Sequence, residues 1–247
     1  MGEATRDAAR SVAPVLHDKV IDALGLEITS GQHAPGAALT LERLQQRFGV
    51  SRTVMREVMR ILESLSLVQS RRRVGLVVQP ISRWRVLDPR VIRWRLDGPG
   101  RADQLRTLTE LRVAVEPLAA AGAARHAAPA QRQRLGALAA RMRHLGEAGQ
   151  LDAFLEVDVE FHALLLHGCH NEMFSALTDV ITEVLAGRTE HGLMPRPPRP
   201  VALDLHERVA SCVAAGDARG AEAAMRELVE EVRDAISATA SCGAGLR

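Results

Sequence analysis

The chain has 247 residues, of which 47% are apolar and 25% charged, a composition that is ordinary for a globular protein and excludes general disorder. It has no apolar run near the roughly 18 residues of a membrane helix, no apolar signal-peptide core near its start, and three cysteines without metal-ligand spacing, so a reduced cytoplasmic protein is expected. Net charge is +2, but residues 1–100 carry 16 Lys and Arg against 10 Asp and Glu, while the remainder carries 16 against 20, and a basic first part suits a nucleic-acid partner.

The first eighty residues predict three helices and a β-hairpin. One helical pattern ends at Gly31, a second over residues 41–48 meets Gly49, and Ser51 is a good N-cap for a third. Residues 68–80 then form two β-rich pieces around an arginine-glycine turn. Short helices joined by a tight glycine turn make a helix-turn-helix, so residues 1–80 are predicted to be a winged helix-turn-helix DNA-binding domain.

The third helix has two distinct faces. Its apolar face is predicted to hold Val54, Val58, Ile61, Leu62 and Leu65, and its polar face Arg52, Thr53, Arg56 and Arg60. A charged solvated face is common on surface helices, so the arginines alone leave both a plain surface and a DNA contact open. Their place at the start of the second helix of the motif, followed by a basic wing, favours DNA.

The stretch GVSRTVMREVMRILESLSLV resembles the winged helix of the GntR family of bacterial transcription regulators, over about seventy residues. The resemblance implies a recognition helix in the major groove, a wing in the minor groove, and DNA contacts from Ser51, Arg52, Thr53 and Arg56. Where the family commonly carries Glu-Arg this chain has Leu41 and Glu42, so Arg43 is the candidate replacement. Arginine stands where the wing tip usually has glycine, and the expected wing contacts are Arg71, Arg72, Arg73 and Gly75.

Residues 81–101 are predicted to be a linker. They hold Trp84 and Trp94 and end in a Gly-Pro-Gly stretch, which is typical of a linker helix with two packing tryptophans. The same segment resembles the connection of FadR-type members of the family that respond to sugar acids such as galactonate.

Residues 102–236 show helical patterns without strand alternation and predict a bundle of about six helices, broken at Pro129, Gly149, residues 194–200 and Gly216. The fold class is therefore mainly α, a winged helix-turn-helix followed by an all-α domain, with a flexible tail over residues 237–247. Nearly all of residues 104–233 resembles the ligand-binding FCD domain of the FadR branch. The segments that carry this resemblance are ELRVAVEPLAA (110–120), DVEFH (158–162) and LHERVASCVAAGDARGAEAAM (205–225), with Asn171 and Arg188.

Asp158 and His162 are four residues apart on an otherwise apolar helix face. This spacing suits two ligands of one cation, but a histidine hydrogen-bonded to a neighbouring aspartate is equally familiar. His206 lies on the apolar stripe of a later helix and is also predicted to face inward. The resemblance implies that these three residues bind a divalent metal together with a histidine 22 residues after the third. Leu228 stands at that position, which leaves a three-ligand site for Zn²⁺, with Ni²⁺ or Mn²⁺ as alternatives.

Arg112 and Arg188 match family arginines that face the ligand cavity. Either could hold the carboxylate of an effector in a bidentate pair, or could pair structurally with Glu116 or another buried carboxylate. Asn171 is expected to cap a helix rather than to touch ligand.

These features predict a DNA-binding transcription regulator, most plainly a repressor, controlled by a small sugar acid or hydroxy acid bound beside a metal ion. A homodimer reading a palindromic operator is expected, because two recognition helices need two-fold symmetry. The alternatives are a metal-free regulator with another effector such as a fatty acyl ligand, a zinc-dependent hydrolase, and an architectural DNA-binding protein with a purely structural bundle. No HExxH motif or nucleophile elbow supports the hydrolase.

Overall fold

The computed structural model describes residues 17–244, with side chains described as far as residue 235. Its contacts divide the chain into two compact units, one ending at Arg101 and the other beginning at Ala102. Within the described residues the structure is mainly helical with one small sheet, which confirms the predicted fold class. No described helix combines the length and the apolar character needed to cross a membrane.

The first unit contains a helix-turn-helix and a three-stranded antiparallel sheet of order β1-β3-β2. The helix pair α2–α3 is joined through Gly49, whose φ of 63° closes α2, and through Ser51, which caps α3 as predicted. The elements are α1 over residues 17–29, β1 (Ala38–Leu39), α2 (Leu41–Phe48), α3 (Arg52–Ser64), β2 (Val68–Arg71), β3 (Gly75–Val78), a 3₁₀ turn (Ile81–Arg83) and α4 (Pro89–Asp97).

Strand β1 is an element that the sequence analysis did not predict. It pairs with β3 through Ala38 with Val77 and Leu39 with Leu76. Gly75 permits this pairing, because a Cβ there would lie 2.6 Å from the carbonyl oxygen of Leu39, and its φ of 107° disfavours any side chain. The pairing of β1 with β3 therefore requires glycine at position 75, independently of any contact with DNA.

The buried stripe of α3 runs through Met55, Val58 and Leu62, which are fully buried. Val54 and Ile61, which the pattern places on the apolar face, are only half-buried. The prediction therefore placed the centre of this face incorrectly, because it left out Met55. The exposed side still carries Arg52, Thr53, Arg56 and Arg60.

A buried carboxylate joins α1 to α2. Glu27 forms a bidentate ion pair with Arg47, with Nη1 2.8 Å from Oε2, and its Oε2 lies 3.1 Å from Nε2 of His33. Hydrogen bonding from Arg47 lowers the pKa of Glu27, against an opposing effect of burial, and His33 adds to the lowering. These contacts fasten the loop after α1 as well as the two helices.

Helix α4 packs on α1 within the first unit. The indole nitrogen of Trp94 donates to Oδ1 of Asp22 at 3.0 Å, and its ring lies flat against Gly25, where an added Cβ would be 2.4 Å from the ring. Val91 and Trp94 belong to the same apolar core as Leu24. The segment predicted to be a linker thus contributes a helix to the core of this unit.

The described part of the second unit consists of seven helices. Helices α5, α6, α7, α9, α10 and α11 are long, and α8 is a single turn capped by Asn171, whose side chain accepts from the backbone of Met173 as expected of a cap. Their bounds are α5 (Arg101–His126), α6 (Pro129–Glu147), α7 (Leu151–Gly168), α8 (Glu172–Ser175), α9 (Thr178–Glu190), α10 (Pro200–Ala215) and α11 (Ala218–Ala244).

The predicted breaks at Pro129, Gly149 and Gly216 coincide with ends of helices, and residues 194–200 lie between α9 and α10. The turn that separates α7 from α8 was not predicted. The predicted end of the helical region at residue 236 is also wrong, because α11 continues to Ala244. Residues 237–244 are therefore helical rather than a tail, and residues 245–247 lie outside the described part of the chain.

Candidate functional site

The predicted DNA-contacting residues of α3 lie together on its exposed side. The Oγ of Ser51 accepts from the backbone nitrogen of Val54 at 3.3 Å, so this side chain caps the helix in addition to any contact it makes outside the protein. Arg52, Thr53 and Arg56 follow within the first turn and a half and are exposed. Arg43 is exposed on α2.

The wing carries three exposed arginines, Arg71, Arg72 and Arg73, at the turn between β2 and β3. Arg73 has a φ of 64°, in the left-handed region where glycine is favoured. The position thus keeps the conformation that a glycine would adopt easily while presenting a cation. Glu63 Oε1 accepts from the backbone of Ser70 at 2.7 Å and ties the end of α3 to the wing.

In the second unit, Asp158 and His162 of α7 meet His206 of α10 in the interior, where all three are buried. Oδ1 of Asp158 lies 3.3 Å from Nε2 of His162 and 3.3 Å from Nε2 of His206. Neither contact has hydrogen-bond geometry, and Oδ1 of Asp158 and Nε2 of His206 have no hydrogen-bond partner. Two ligands of a tetrahedral Zn²⁺ are separated by about 3.3 Å, so these atoms fit a divalent cation in distance and chemistry.

The other ring nitrogen of each histidine faces an oxygen outside this group. Nδ1 of His206 is 2.6 Å from the carbonyl oxygen of Ala202, so it carries the proton and leaves Nε2 as an acceptor. Nδ1 of His162 is 2.8 Å from Oε2 of Glu116, in a bent contact. Acceptors at Nδ1 are the usual partners of metal-ligating histidines, because they orient the ring.

Glu116 connects the histidine to an arginine. Arg112, which the sequence analysis weighed as a partner of Glu116, forms a bidentate ion pair with it, with Nε 2.5 Å from Oε1 and Nη2 3.2 Å from Oε2. The contact of Glu116 with His162 was not anticipated. Its only sequence signal is its position four residues after Arg112, one helical turn along α5.

Electrostatics within this buried network is dominated by pairing. Burial disfavours the carboxylates, but Arg112 and His162 lower the pKa of Glu116 to about 2, and the two histidines hold the pKa of Asp158 well below its usual range. Burial also disfavours imidazolium, yet Glu116 and Asp158 raise the pKa of His162 to about 9. The site therefore favours positive charge at its centre, whether from a proton or from a cation.

Arg188 of α9 differs from Arg112 because its guanidinium has no carboxylate partner among the residues that the structure describes. It is 7% exposed, its Nε has no hydrogen-bond partner, and its Nη2 reaches only Sδ of Met194, at 3.9 Å. Burial, and then the neighbouring charge of Arg112, lower its pKa to about 10. The Nη1 of Arg112 is likewise buried and unpaired.

These groups line one cavity of about 440 Å³ of empty space, part of which opens to solvent. Its wall includes Asp158, His162, His206, Arg112 and Arg188, so the structure brings together every residue predicted for the metal and the effector. Leu228 of α11 is also in the wall, at the position of the absent fourth ligand.

Comparison with known proteins agrees with both units. Residues 16–78 match the model of bacterial regulatory proteins of the gntR family, and residues 107–231 match the FCD domain. The chain is 29% identical to the galactonate operon transcriptional repressor of Escherichia coli (strain K12), over 68% of this chain and 72% of that protein. It is 26% identical to the uncharacterized HTH-type transcriptional regulator YieP of the same organism, over 90% and 94% of the two chains.

Among solved structures, that of Lar, which controls expression of the Listeria monocytogenes agr system, matches with a TM-score of 0.56 and 16% identity over 90% of this chain and 96% of its own, and shows the same fold. The gntR model describes bacterial regulatory proteins and both relatives are transcription regulators, which contradicts the hydrolase interpretation. The exposed arginines of α3 and the wing, the buried cavity of the bundle and the two family matches lead to one conclusion. The chain belongs to the GntR family of DNA-binding transcription regulators, in the branch that carries an FCD domain.

Proposed function

We propose that the chain is a repressor whose affinity for its operator is controlled by a small organic acid, bound beside a divalent metal ion in the cavity of the FCD domain. The observation that carries this proposal is the convergence of Oδ1 of Asp158 with Nε2 of His162 and His206 next to an unpaired, buried Arg188. Similarity to a repressor of a galactonate operon supports the sign of regulation and an organic acid as effector.

The three ligand atoms would hold the metal, for which Zn²⁺ is the first choice and Ni²⁺ or Mn²⁺ are alternatives. When bound, the ion offers open coordination positions to oxygen atoms of the effector. Glu116 and the carbonyl of Ala202 orient the histidine rings through their Nδ1 atoms. Leu228 supplies no ligand atom, so the protein itself contributes three ligands.

The effector carboxylate is assigned to Arg188. A guanidinium that is buried without a carboxylate is costly, and an anion entering the cavity would supply the missing partner. Arg112 is held by Glu116 through two of its nitrogens and can add only its free Nη1. The two arginines therefore have unequal roles, with Arg188 as the principal anion-binding group.

DNA recognition is assigned to Ser51, Arg52, Thr53 and Arg56 of α3, to Arg43 of α2, and to Arg71, Arg72 and Arg73 of the wing. Their exposure leaves them free to contact base edges and phosphates. Gly75 is assigned a supporting role, since its close approach to Leu39 explains it without DNA. Two such domains in a homodimer would read a palindromic operator, and effector binding would change the placement of the two recognition helices.

The first experiment measures metal content by elemental analysis of untagged protein that has not met a chelator. About one divalent ion per chain is expected, and His206→Ala should lose it. His144→Ala, which removes an exposed histidine on α6, is the matched control and should retain the ion. Metal-free wild-type protein would contradict the proposal and leave the three residues as a buried cluster of paired charges.

The second experiment tests the anion-binding role of Arg188. Binding of an acid to the native state raises its melting temperature, so a screen of sugar acids, hydroxy acids and fatty acids with metal-loaded protein should find at least one stabilising compound. Arg188→Met should abolish that stabilisation, whereas Arg106→Met, on the exposed side of α5, should preserve it. Equal stabilisation of the Arg188 variant would remove this residue from the effector site.

A further inference from the structure

The described wall of the cavity in the FCD domain is made of charged and apolar side chains, without neutral hydroxyl or amide groups. Charged groups form one kind, and the other is apolar, with Phe154, Met194, Ala202, Leu228 and Val232. None of the described residues that line the cavity has a hydroxyl or carboxamide side chain. The wall therefore offers a ligand no hydroxyl or amide group, and its polar side chains are arginines, carboxylates and the two histidines.

Most of the charged atoms in this wall already have partners inside the protein. Arg112 commits Nε and Nη2 to Glu116, each histidine directs Nδ1 to another oxygen, and Arg199 is paired with Glu231 at 2.9 Å. The fully buried atoms of this wall without a hydrogen-bond partner are Oδ1 of Asp158, Nδ1 of His162, Nε2 of His206, Nη1 of Arg112 and Nε of Arg188. With a cation held by Oδ1 of Asp158 and the Nε2 atoms of both histidines, the open positions of the cation and the free nitrogens of the two arginines could serve one carboxylate and one adjacent oxygen.

A polyhydroxylated acid would bring several further hydroxyl groups into this cavity. Each would give up hydrogen bonds to water and find apolar side chains instead, which opposes binding. An apolar substituent at the same place would bury its surface against Leu228 and Val232, which favours binding. Leu228 increases this preference for an apolar substituent, because it places a branched apolar side chain where the family pattern has a metal-binding histidine.

We propose that the effector is a short 2-hydroxycarboxylate with an apolar side chain, not a polyhydroxylated sugar acid. The carboxylate and the hydroxyl on the neighbouring carbon supply the oxygen atoms for the charged groups, and the side chain contacts the apolar wall. This inference rests on the proposed function, since it requires the anion and metal site to be real. It goes further by choosing between the two classes of acid.

Isothermal titration calorimetry of the full chain with one equivalent of Zn²⁺ tests the choice. The probes are 2-hydroxy-3-methylbutanoate, D-galactonate and octanoate. We expect the hydroxy acid to bind at least tenfold more tightly than galactonate. We also expect 3-methylbutanoate, which lacks the hydroxyl, to bind more weakly than its hydroxylated counterpart, because it offers one oxygen fewer.

Two variants examine the apolar wall directly. Val232→Thr keeps the side-chain shape and introduces a hydroxyl, and Leu228→Asn introduces a carboxamide. Both should reduce the preference for the hydroxy acid, measured as the dissociation constant of galactonate divided by that of 2-hydroxy-3-methylbutanoate. Val201→Thr, at an exposed position of α10, is the control and should leave the ratio unchanged. If Leu228→Asn fails to fold, Val232→Thr still provides the measurement.

The possible failures are distinguishable. Galactonate binding as tightly as the hydroxy acid would overturn this inference and leave the proposed function intact. Octanoate binding tightly without metal and without Arg188 would overturn both. An absence of binding by every acid, with protein that contains its metal, would also overturn both and favour a purely structural bundle.

Discussion

The two units of this chain use charged side chains in opposite ways. In the first unit the arginines of α3 and the wing are exposed around an apolar core, whereas among the described residues of the second unit six Arg, Asp, Glu or His side chains lie inside the bundle. An exposed cation is free to bind a partner, and its removal costs the fold little. A buried ion is stable only with its partner, so substitutions in the two units should have different kinds of effect.

The largest effect is expected from Glu116→Gln, which removes the charge facing both Arg112 and His162. Leaving these groups without their carboxylate should destabilise the protein by about 3–5 kcal/mol. Urea unfolding measures the change. Glu110→Gln, at an exposed position six residues earlier on α5, is the control and should remain near wild type. A small effect at Glu116 would mean that the buried charges do not depend on each other.

Arg52→Ala and Arg56→Ala should each weaken operator binding by about 1–3 kcal/mol while leaving the melting temperature unchanged. Fluorescence anisotropy with operator DNA gives the affinity, which should also fall steeply with salt concentration if these arginines neutralise phosphates. Arg60→Ala, nearer the end of α3, is the matched control and should lose less. Thermal destabilisation by either change would contradict the contrast between exposed and buried charges.

Glu27→Gln probes the exception within the first unit, a carboxylate that is buried and paired. Losing the charge-assisted bonds to Arg47 and His33 should cost about 1.5 kcal/mol at neutral pH. Because the pKa of Glu27 is lowered in the folded state, its contribution is present above the unfolded pKa near 4.5 and is lost as pH falls towards the folded value. The stability difference between wild type and variant should thus shrink below about pH 4.5.

The smallest effect is expected at the ion pair of Arg134 with Glu160, which joins α6 to α7 on the surface of the second unit. Its atoms approach to 2.7 Å, but both side chains are about half exposed. Exposed pairs of this kind contribute little because water screens them. Alanine at either position should leave the melting temperature unchanged. A clear decrease would show that solvent exposure of an ion pair does not predict its contribution to stability.

Sequence patterns predicted those parts of the fold that depend on neighbouring residues. Gly49, Ser51 and Gly216 mark helix ends through local backbone geometry, so their roles could be read directly. Strand β1 has only two residues and exists because β3 lies beside it, a non-local cause that carries no pattern of its own. Met55 was not predicted to be buried. It is adjacent to Val54 in the sequence, and the apolar pattern alone does not fix which of two neighbouring residues lies at the centre of the buried helix face.

The candidate site divides in the same manner. Helical spacing placed Asp158 and His162 together, and family resemblance added His206, Arg112 and Arg188. The contact of Glu116 with His162 joins α5 to α7, and no spacing rule relates residues on two helices. That Arg188 has no carboxylate partner in the described part of the chain, while Arg112 has one, could be learned only from the arrangement of the surrounding helices.

The packing of α4 on α1 has a practical consequence for building chimeric regulators. A fusion junction after Pro80 would remove Trp94, which packs on Gly25, and would leave Asp22 without the hydrogen bond from the indole nitrogen. A junction within Gly98–Gly100 would transfer α4 together with its binding surface. Swapped sensor domains should therefore be fused at this short Gly-Pro-Gly segment, where the exchanged module carries its own complete apolar core.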